Sequence, residues 1–166
     1  MIKLISFLLS LVCILCLSTA FADPKEEIKT ILEKVDEAVK IMNDKKDASI
    51  PEFQKDAKWN WGTNYIYVID CDKMITLAHP MVPALVGKST KEMKDNKGNF
   101  FFQKFCEIAK TQEKGGWIEY WWPKPGTKEP IRKISFTKCA TKNFSFCAGA
   151  GVYDEKNELK VDELNK

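Results

Sequence analysis

YIYVIDCDKMITLAHP, residues 65–80, decides how the rest of the chain is read. Tyr65 to Ile69 is a run of aromatic and β-branched residues, and Asp70-Cys71-Asp72 interrupts it with an acidic turn. A second apolar run, Met74 to Ala78, follows and is closed by His79-Pro80. Two such runs around a short polar turn predict a β-hairpin. Pro80 stops the second strand because it has no N–H to give to a ladder. Side chains alternate along a strand, so Tyr65 and Tyr67 share one face while Ile66 and Val68 share the other. The single histidine, His79, stands at the exit of the hairpin.

Upstream, the sequence divides in two. Lys3, the nearly unbroken apolar stretch Leu4 to Leu17 and the small-x-small triplet Ala20-Phe21-Ala22 have the pattern of a secretory signal peptide, residues 1–22, with cleavage expected after Ala22. The alternative is an uncleaved membrane anchor, for which the apolar run is short. Asp23 to Asp47 predicts a long helix, with Asp23 as N-cap, Pro24 at the first helical position and Glu26 completing a capping box. Ile28, Ile31, Leu32, Val35, Val39 and Met42 recur at helical spacing and form one apolar stripe. Ala48 to Thr63 reads as irregular, with Pro51 and the tryptophans Trp59 and Trp61.

Downstream, Pro80 to Thr90 is a loop and Asp95-Asn96-Lys97-Gly98 a turn. Asn99 to Thr111 predicts a second helix with Phe102, Phe105, Cys106 and Ala109 on one side, broken by Gly115-Gly116. Trp117–Trp122, Ile131–Cys139 and Phe144–Tyr153 read as three more strands, the first two joined by the proline- and glycine-rich loop Pro123–Pro130. The order predicts one α+β domain over residues 23–154, its sheet spanning 64–153. Five antiparallel strands carry the long helix on one face and a helix and loops over the other. The charged segment 155–166 is expected to be a loosely held tail.

With 166 residues and a net charge of +3 from interspersed charges, the chain suits one domain with a real core and has no nucleic-acid footprint. Beyond the leader no apolar run is long enough to span a membrane, so the expected location is periplasmic or secreted. Four of the six cysteines lie beyond the leader, and none forms a C-x-x-C, which removes zinc-site, thioredoxin-like and haem-attachment readings. An exported chain sits where disulfides persist. Cys139 and Cys147 flank a hairpin turn near Asn143 and are expected to face each other as a disulfide, two buried thiols being the alternative. Cys71 and Cys106 meet only if a helix lies under the first turn, which the sequence leaves open.

Taking residues 139 and 147 as cross-strand partners sets Lys133 opposite Tyr153 and Ser135 opposite Gly151. One sheet face is then small and apolar: Ile66, Val68, Ile134, Phe136, Ala148, Ala150 and Val152. The other carries Tyr65, Tyr67, Lys133, Ser135, Thr137 and bare glycines. If covered, that face buries a cation in need of an anion, with room over the glycines for a small molecule. Lys133 is the leading candidate to hold a ligand carboxylate, with Tyr65, Tyr67, Ser135 and His79 as hydrogen-bonding neighbours. Tyr120 and Trp122 share one face of their strand, and Trp117, Glu119 and Trp121 the other; which face meets the pocket is open from alternation alone. Core tyrosines, a strand-capping histidine and a solvated lysine are the structural alternatives. No G-x-S-x-G, H-E-x-x-H or EF-hand spacing is present, so no catalytic, metal or cofactor site is expected.

The blocks Y-I-Y-V-I-D (65–70), A-H-P (78–80), L-V-G-K (85–88), K-D-N-K-G (94–98), G-W-I-E-Y-W-W-P-K-P-G (116–126), K-I-S-F (133–136) and G-A-G-V-Y (149–153) resemble, in order and spacing, the Cache domains of bacterial sensors, in particular the single-Cache type 2 group. The resemblance implies a PAS-like five-stranded sheet behind a long helix and extracytoplasmic binding of short carboxylates such as acetate, propionate, lactate or pyruvate. It favours Tyr120 and Trp122 as the pocket-facing pair. The chain departs from the family in having Phe136 where a tyrosine is common, and in lacking a tryptophan near Ser145 or Phe146 in the last hairpin. The reading is of a free-standing domain, without the flanking spans and signalling module usual in the family, so the expected partners are a small organic acid and a membrane receptor or another exported protein. Two other readings remain: a protein-interaction module with a vestigial pocket, or a carbohydrate binder. Both would use Trp59, Trp61 and the outward-facing members of Trp117, Trp121 and Trp122.

Overall fold

The computed structural model describes residues 24–166. The leader, its cleavage point and the Asp23 cap lie outside the described residues. Helix α1, Pro24–Lys45, gives way to a 3-10 turn, Lys46–Ser49, where Lys46 takes a left-handed backbone (φ 50°). The stretch expected to be irregular instead holds a short helix, α2, Ile50–Lys55, and a two-stranded ribbon, β1 Asn60–Trp61 and β2 Asn64–Tyr65. Pro51 sits in the first turn of α2, where its missing N–H has no helical partner to lose.

The hairpin forms as β3, Tyr67–Asp70, and β4, Ile75–Ala78. Helix α3 is Phe101–Thr111, and the remaining strands are β5 Gly116–Pro123, β6 Pro130–Ala140 and β7 Asn143–Tyr153. The five strands lie in the order β4-β3-β7-β6-β5, every neighbouring pair antiparallel. The register follows the cysteine anchor: Cys139 pairs with Cys147, Ser135 with Gly151 and Lys133 with Tyr153. Among the described residues no helix is long and apolar enough to cross a membrane.

The two faces separate as alternation dictates. Ile31, Val35, Ala38, Val39 and Met42 of α1 are buried against Ile66, Val68, Ile134, Phe136, Ala148, Ala150 and Val152. The small Ala148 and Ala150 let the helix lie close. On the opposite face Tyr65, Tyr67, Ile118 and Tyr120 are covered by Phe101, Phe102, Phe105, Cys106 and Ala109 of α3. A Cys71–Cys106 disulfide (Cα–Cα 5.3 Å) ties α3 to the turn after β3, and a Cys139–Cys147 disulfide links β6 to β7.

Segment 155–166 is not a loose tail. Asp154 is buried, pairs with the Arg132 guanidinium and accepts the N–H groups of Glu158 and Leu159, each at 3.0 Å. Arg132 also donates to the Leu159 carbonyl at 3.1 Å. A short final helix, α4, Val161–Leu164, follows, and Leu159, Val161 and Leu164 cover the α1-side core. Sparse apolar residues among charges disguised this docking. The Asn165 side chain then accepts from Trp117 N–H (2.7 Å) and donates to Trp117 C=O (2.9 Å), closing the outer edge of β5. Asn165→Ala should cost about 1–2 kcal/mol. It should also raise the hydrogen-exchange rate of the Trp117 amide while leaving β7 amides protected; an unchanged Trp117 rate would show that this clamp does not hold the edge.

Candidate functional site

Lys133 projects from β6 onto the α3-covered face, while its neighbour Arg132 serves the opposite one. The Lys133 side chain is wholly buried. Its ammonium lies 4.1 Å from the centre of the Tyr65 ring, 4.6 Å from that of Tyr153, and 3.4 Å from the Tyr153 hydroxyl. That hydroxyl donates to the Pro123 carbonyl at 2.9 Å, so it can accept from the lysine. Among the described residues the ion-paired carboxylates all serve other bases. Ring faces thus stand where a counter-ion would. Burial pulls the Lys133 pKa down to about 7.

His79 is fixed from two sides. Its backbone N–H donates to Gln54 Oε1 (2.8 Å) and its carbonyl accepts from Gln54 Nε2 (3.4 Å), so α2 grips the strand exit. Nδ1 accepts from Val82 N–H at 3.0 Å, which puts the proton of the neutral ring on Nε2. Burial, then the nearby Lys133 charge, hold the His79 pKa down at about 3. The imidazole sits 4.9 Å from the Tyr65 ring and 6.0 Å from the Trp122 ring.

The tyrosines are neutral donors. Burial pushes Tyr65, Tyr67 and Tyr120 well above the ordinary phenol value and Tyr153 up to about 12. Tyr120 and Ser135 share a hydrogen bond at 3.1 Å, and the Tyr120 ring stacks on Phe101 at 4.8 Å. Tyr67 lies across Gly149 so closely that a Cβ there would stand 2.4 Å from its ring. The Tyr67 hydroxyl is buried and makes no hydrogen bond of ordinary geometry.

Tyr67, His79, Tyr120 and Trp122 enclose a cavity, capped by Phe101, Phe102 and Phe105 of α3. Its volume is about 10 Å³, room for about one water molecule. The pocket-facing side of β5 is therefore the Tyr120–Trp122 side, and Trp117 belongs to the α1 core. Lys133, Tyr65 and Ser135 do not line this cavity. They adjoin it, Tyr65 through His79 and Ser135 through Tyr120. Phe102 and Phe105 were visible in the sequence only as the apolar side of a helix, and Phe101 and Gln54 carried no signal at all. Trp59 and Trp117 are buried, whereas Trp61, Trp121 and Trp122 are partly exposed.

The profile of the Cache domain family matches residues 23–165, so the chain belongs to the Cache domain family. A curated relative, the methyl-accepting chemotaxis protein McpP of Pseudomonas putida, is 30% identical over 90 residues, which is 54% of this chain and 16% of that protein. The chain thus spans about a sixth of that receptor's length. Among solved structures, a periplasmic sensor domain of a chemotaxis protein superposes with a TM-score of 0.66 at 23% identity, over 77% of this chain and 93% of that one. A Cache chemosensory domain described for carboxylic acid recognition superposes at 0.65 with 22% identity, over 78% and 94%. A methyl-accepting chemotaxis protein from Vibrio parahaemolyticus does so at 0.64 with 19% identity, over 78% and 89%. These likenesses show the sensor-domain fold.

Proposed function

We propose that this Cache domain is exported and binds a small organic acid, a C2–C4 monocarboxylate, through Lys133. The observation that carries the reading is a fully buried ammonium with no carboxylate paired to it among the described residues, beside an aromatic cavity. A buried cation is costly until an anion joins it. Tyr65, Tyr153 and the neutral His79 surround that anion with groups that do not compete for the charge. The leader-like N-terminus and two disulfides support an oxidising, extracytoplasmic location. The carboxylic acid bound by a structural relative supports the ligand class. The signal would pass to a membrane receptor or another exported protein.

Ligand size bounds affinity: at about −1.5 kcal/mol per heavy atom, four-atom acetate reaches at best a Kd of tens of micromolar. Isothermal calorimetry with acetate, propionate, butyrate, lactate and pyruvate should give saturable heat with at least one acid. Silence from all five would overturn the proposal.

Binding should also take up a proton. An anion beside Lys133 draws its pKa back up from about 7 toward the ordinary lysine range. Below pH 7 the empty site is already charged and affinity is flat. Above it, affinity falls by up to about tenfold per pH unit until the bound-state pKa is passed. Titrations at pH 8 in two buffers of different ionisation heat should give unequal apparent enthalpies, and equal ones would contradict the assignment. The empty domain's stability has a matching sign. The folded pKa of Lys133 lies below its unfolded value, so the penalty is complete below pH 7 and relieved as pH rises toward about 10. His79, neutral when folded and held at about 3, withdraws stability as pH falls from about 6.5 toward 3. Both slopes rise with pH, which a series of melting curves reads directly.

A further inference from the structure

We infer that the end of the sheet carrying loop 80–86 rests on an anionic lipid bilayer, with that loop as the apolar anchor and Lys94 and Lys97 as the headgroup contacts. Residues 80–86 read Pro-Met-Val-Pro-Ala-Leu-Val, seven in succession without a polar side chain. Met81 and Val86, 42% and 40% exposed, are the only large hydrophobic side chains so open to solvent among the described residues. Pro83 and Ala84 between them are exposed as well. Scattered apolar side chains are ordinary on a soluble surface, but several on one loop mark a contact surface.

The loop can enter an interface without unfolding. Val82 N–H donates to His79, Leu85 N–H to the Val82 carbonyl (3.0 Å), Val86 N–H to the Pro83 carbonyl (3.0 Å) and Gly87 N–H to the Thr76 carbonyl (2.8 Å). Pro80 and Pro83 have no N–H to satisfy. Backbone groups bonded within the domain do not depend on water, which is what the headgroup–acyl boundary demands.

Charge and aromatic placement choose the occupant. The two edge strands of a five-stranded antiparallel sheet run the same way, so β4 and β5 exit at one end. Loop 80–86 follows β4 there, and Trp121 stands near the end of β5. Lys97 lies 5.5 Å from the centre of the partly exposed Trp121 ring, and Lys94 lies 4.4 Å from that of Phe100. Between the two lysines, the Asp95 carboxylate is taken up by the N–H groups of Lys97, Asn99 and Trp121 at 2.9, 2.9 and 3.1 Å. Both lysines are exposed, and neither makes an ion pair among the described residues. An aromatic ring under an ammonium suits a lipid headgroup layer, the ring at the boundary and the charge among phosphates. An apolar tip beside such cations matches an anionic bilayer through burial and attraction together.

Flotation of the exported protein with vesicles tests this. Vesicles of phosphatidylcholine with about one-third phosphatidylglycerol should bind it at least about tenfold tighter than phosphatidylcholine alone. The difference should vanish as salt is raised to about 1 M. Met81→Asp/Val86→Asp should weaken binding by about tenfold or more at an unchanged melting temperature, both side chains being exposed. Lys94→Glu/Lys97→Glu should lose as much. Lys40→Glu/Lys142→Glu makes the same charge change at the opposite end, where Lys142 N–H donates to Asn43 of α1 at 2.8 Å. It should stay within about twofold of the wild type. No association with either vesicle overturns the inference, and so does equal affinity for both. Equal losses in the two lysine pairs would reduce the effect to net charge and overturn it as well. Binding that survives Met81→Asp/Val86→Asp and is matched by soluble poly-glutamate overturns the lipid assignment in favour of an acidic protein. Each of these outcomes leaves the carboxylate reading as it stands.

Discussion

Lys133→Met should raise the melting temperature of the empty domain and abolish its response to carboxylates. The two effects have one cause. The ammonium is buried without an anion, and the rings of Tyr65 and Tyr153 compensate it only in part. Methionine keeps most of the aliphatic volume and removes the uncompensated charge. Replacing buried charge by apolar volume is stabilising by about 1–4 kcal/mol in comparable sites, less the cation–π attraction of about 1–2 kcal/mol. At pH 6, where the lysine is charged, a net gain of even 1–2 kcal/mol is about 3–8 °C in Tm for a domain of this size. Thermal scans of wild type and variant, with and without acid, read both effects at once. A variant that melts lower and still shifts with acid would show that the charge at this position serves the fold rather than the ligand.

Removing the Cys71–Cys106 bridge, as the double alanine variant, should cost about 4 kcal/mol, because its loop closes 35 residues. Removing Cys139–Cys147, which closes 8, should cost about 2.5 kcal/mol. The longer bridge does more than shorten the unfolded chain. Cys106 sits one residue after Phe105, so the same turn of α3 that is bonded to the sheet also walls the cavity. Loss of the bridge should therefore weaken acid binding as well as shift the urea midpoint, while loss of the shorter one should leave affinity near that of the wild type. The reverse order of midpoints would mean that apolar packing of Phe101, Phe102 and Phe105, not the bridge, holds the helix down.

The sheet was legible because its signals are local and periodic. Alternation at Tyr65–Val68 and Lys133–Thr137 assigned both faces, and one assumed cysteine pair fixed the register of β6 on β7. The α1 stripe was legible for the same reason. What escaped depends on contacts between distant segments. Gln54 grips His79 across 25 residues, and Asn165 reaches Trp117 across 48; neither distance leaves a trace in local pattern. The docked final segment was misread because its three anchoring apolar residues are spread thinly among charges. Within the site, the sequence named the polar groups but not their depth. It put Lys133 inside the cavity, whereas the structure places the lysine beside it, next to Tyr65 and Tyr153, and gives the wall to the α3 phenylalanines.

Strand β7 reads Ala148-Gly149-Ala150-Gly151-Val152, and neither side of it has space to spare. A methyl at Gly149 would meet the Tyr67 ring at 2.4 Å, and one at Gly151 would meet Ser135 Oγ at 2.0 Å and the Ile134 carbonyl at 2.5 Å. Ala148 and Ala150 are fully enclosed beneath α1. In a saturation substitution scan this ribbon should therefore tolerate the narrowest alphabet in the domain: four successive positions where a single added carbon collides with one layer or the other.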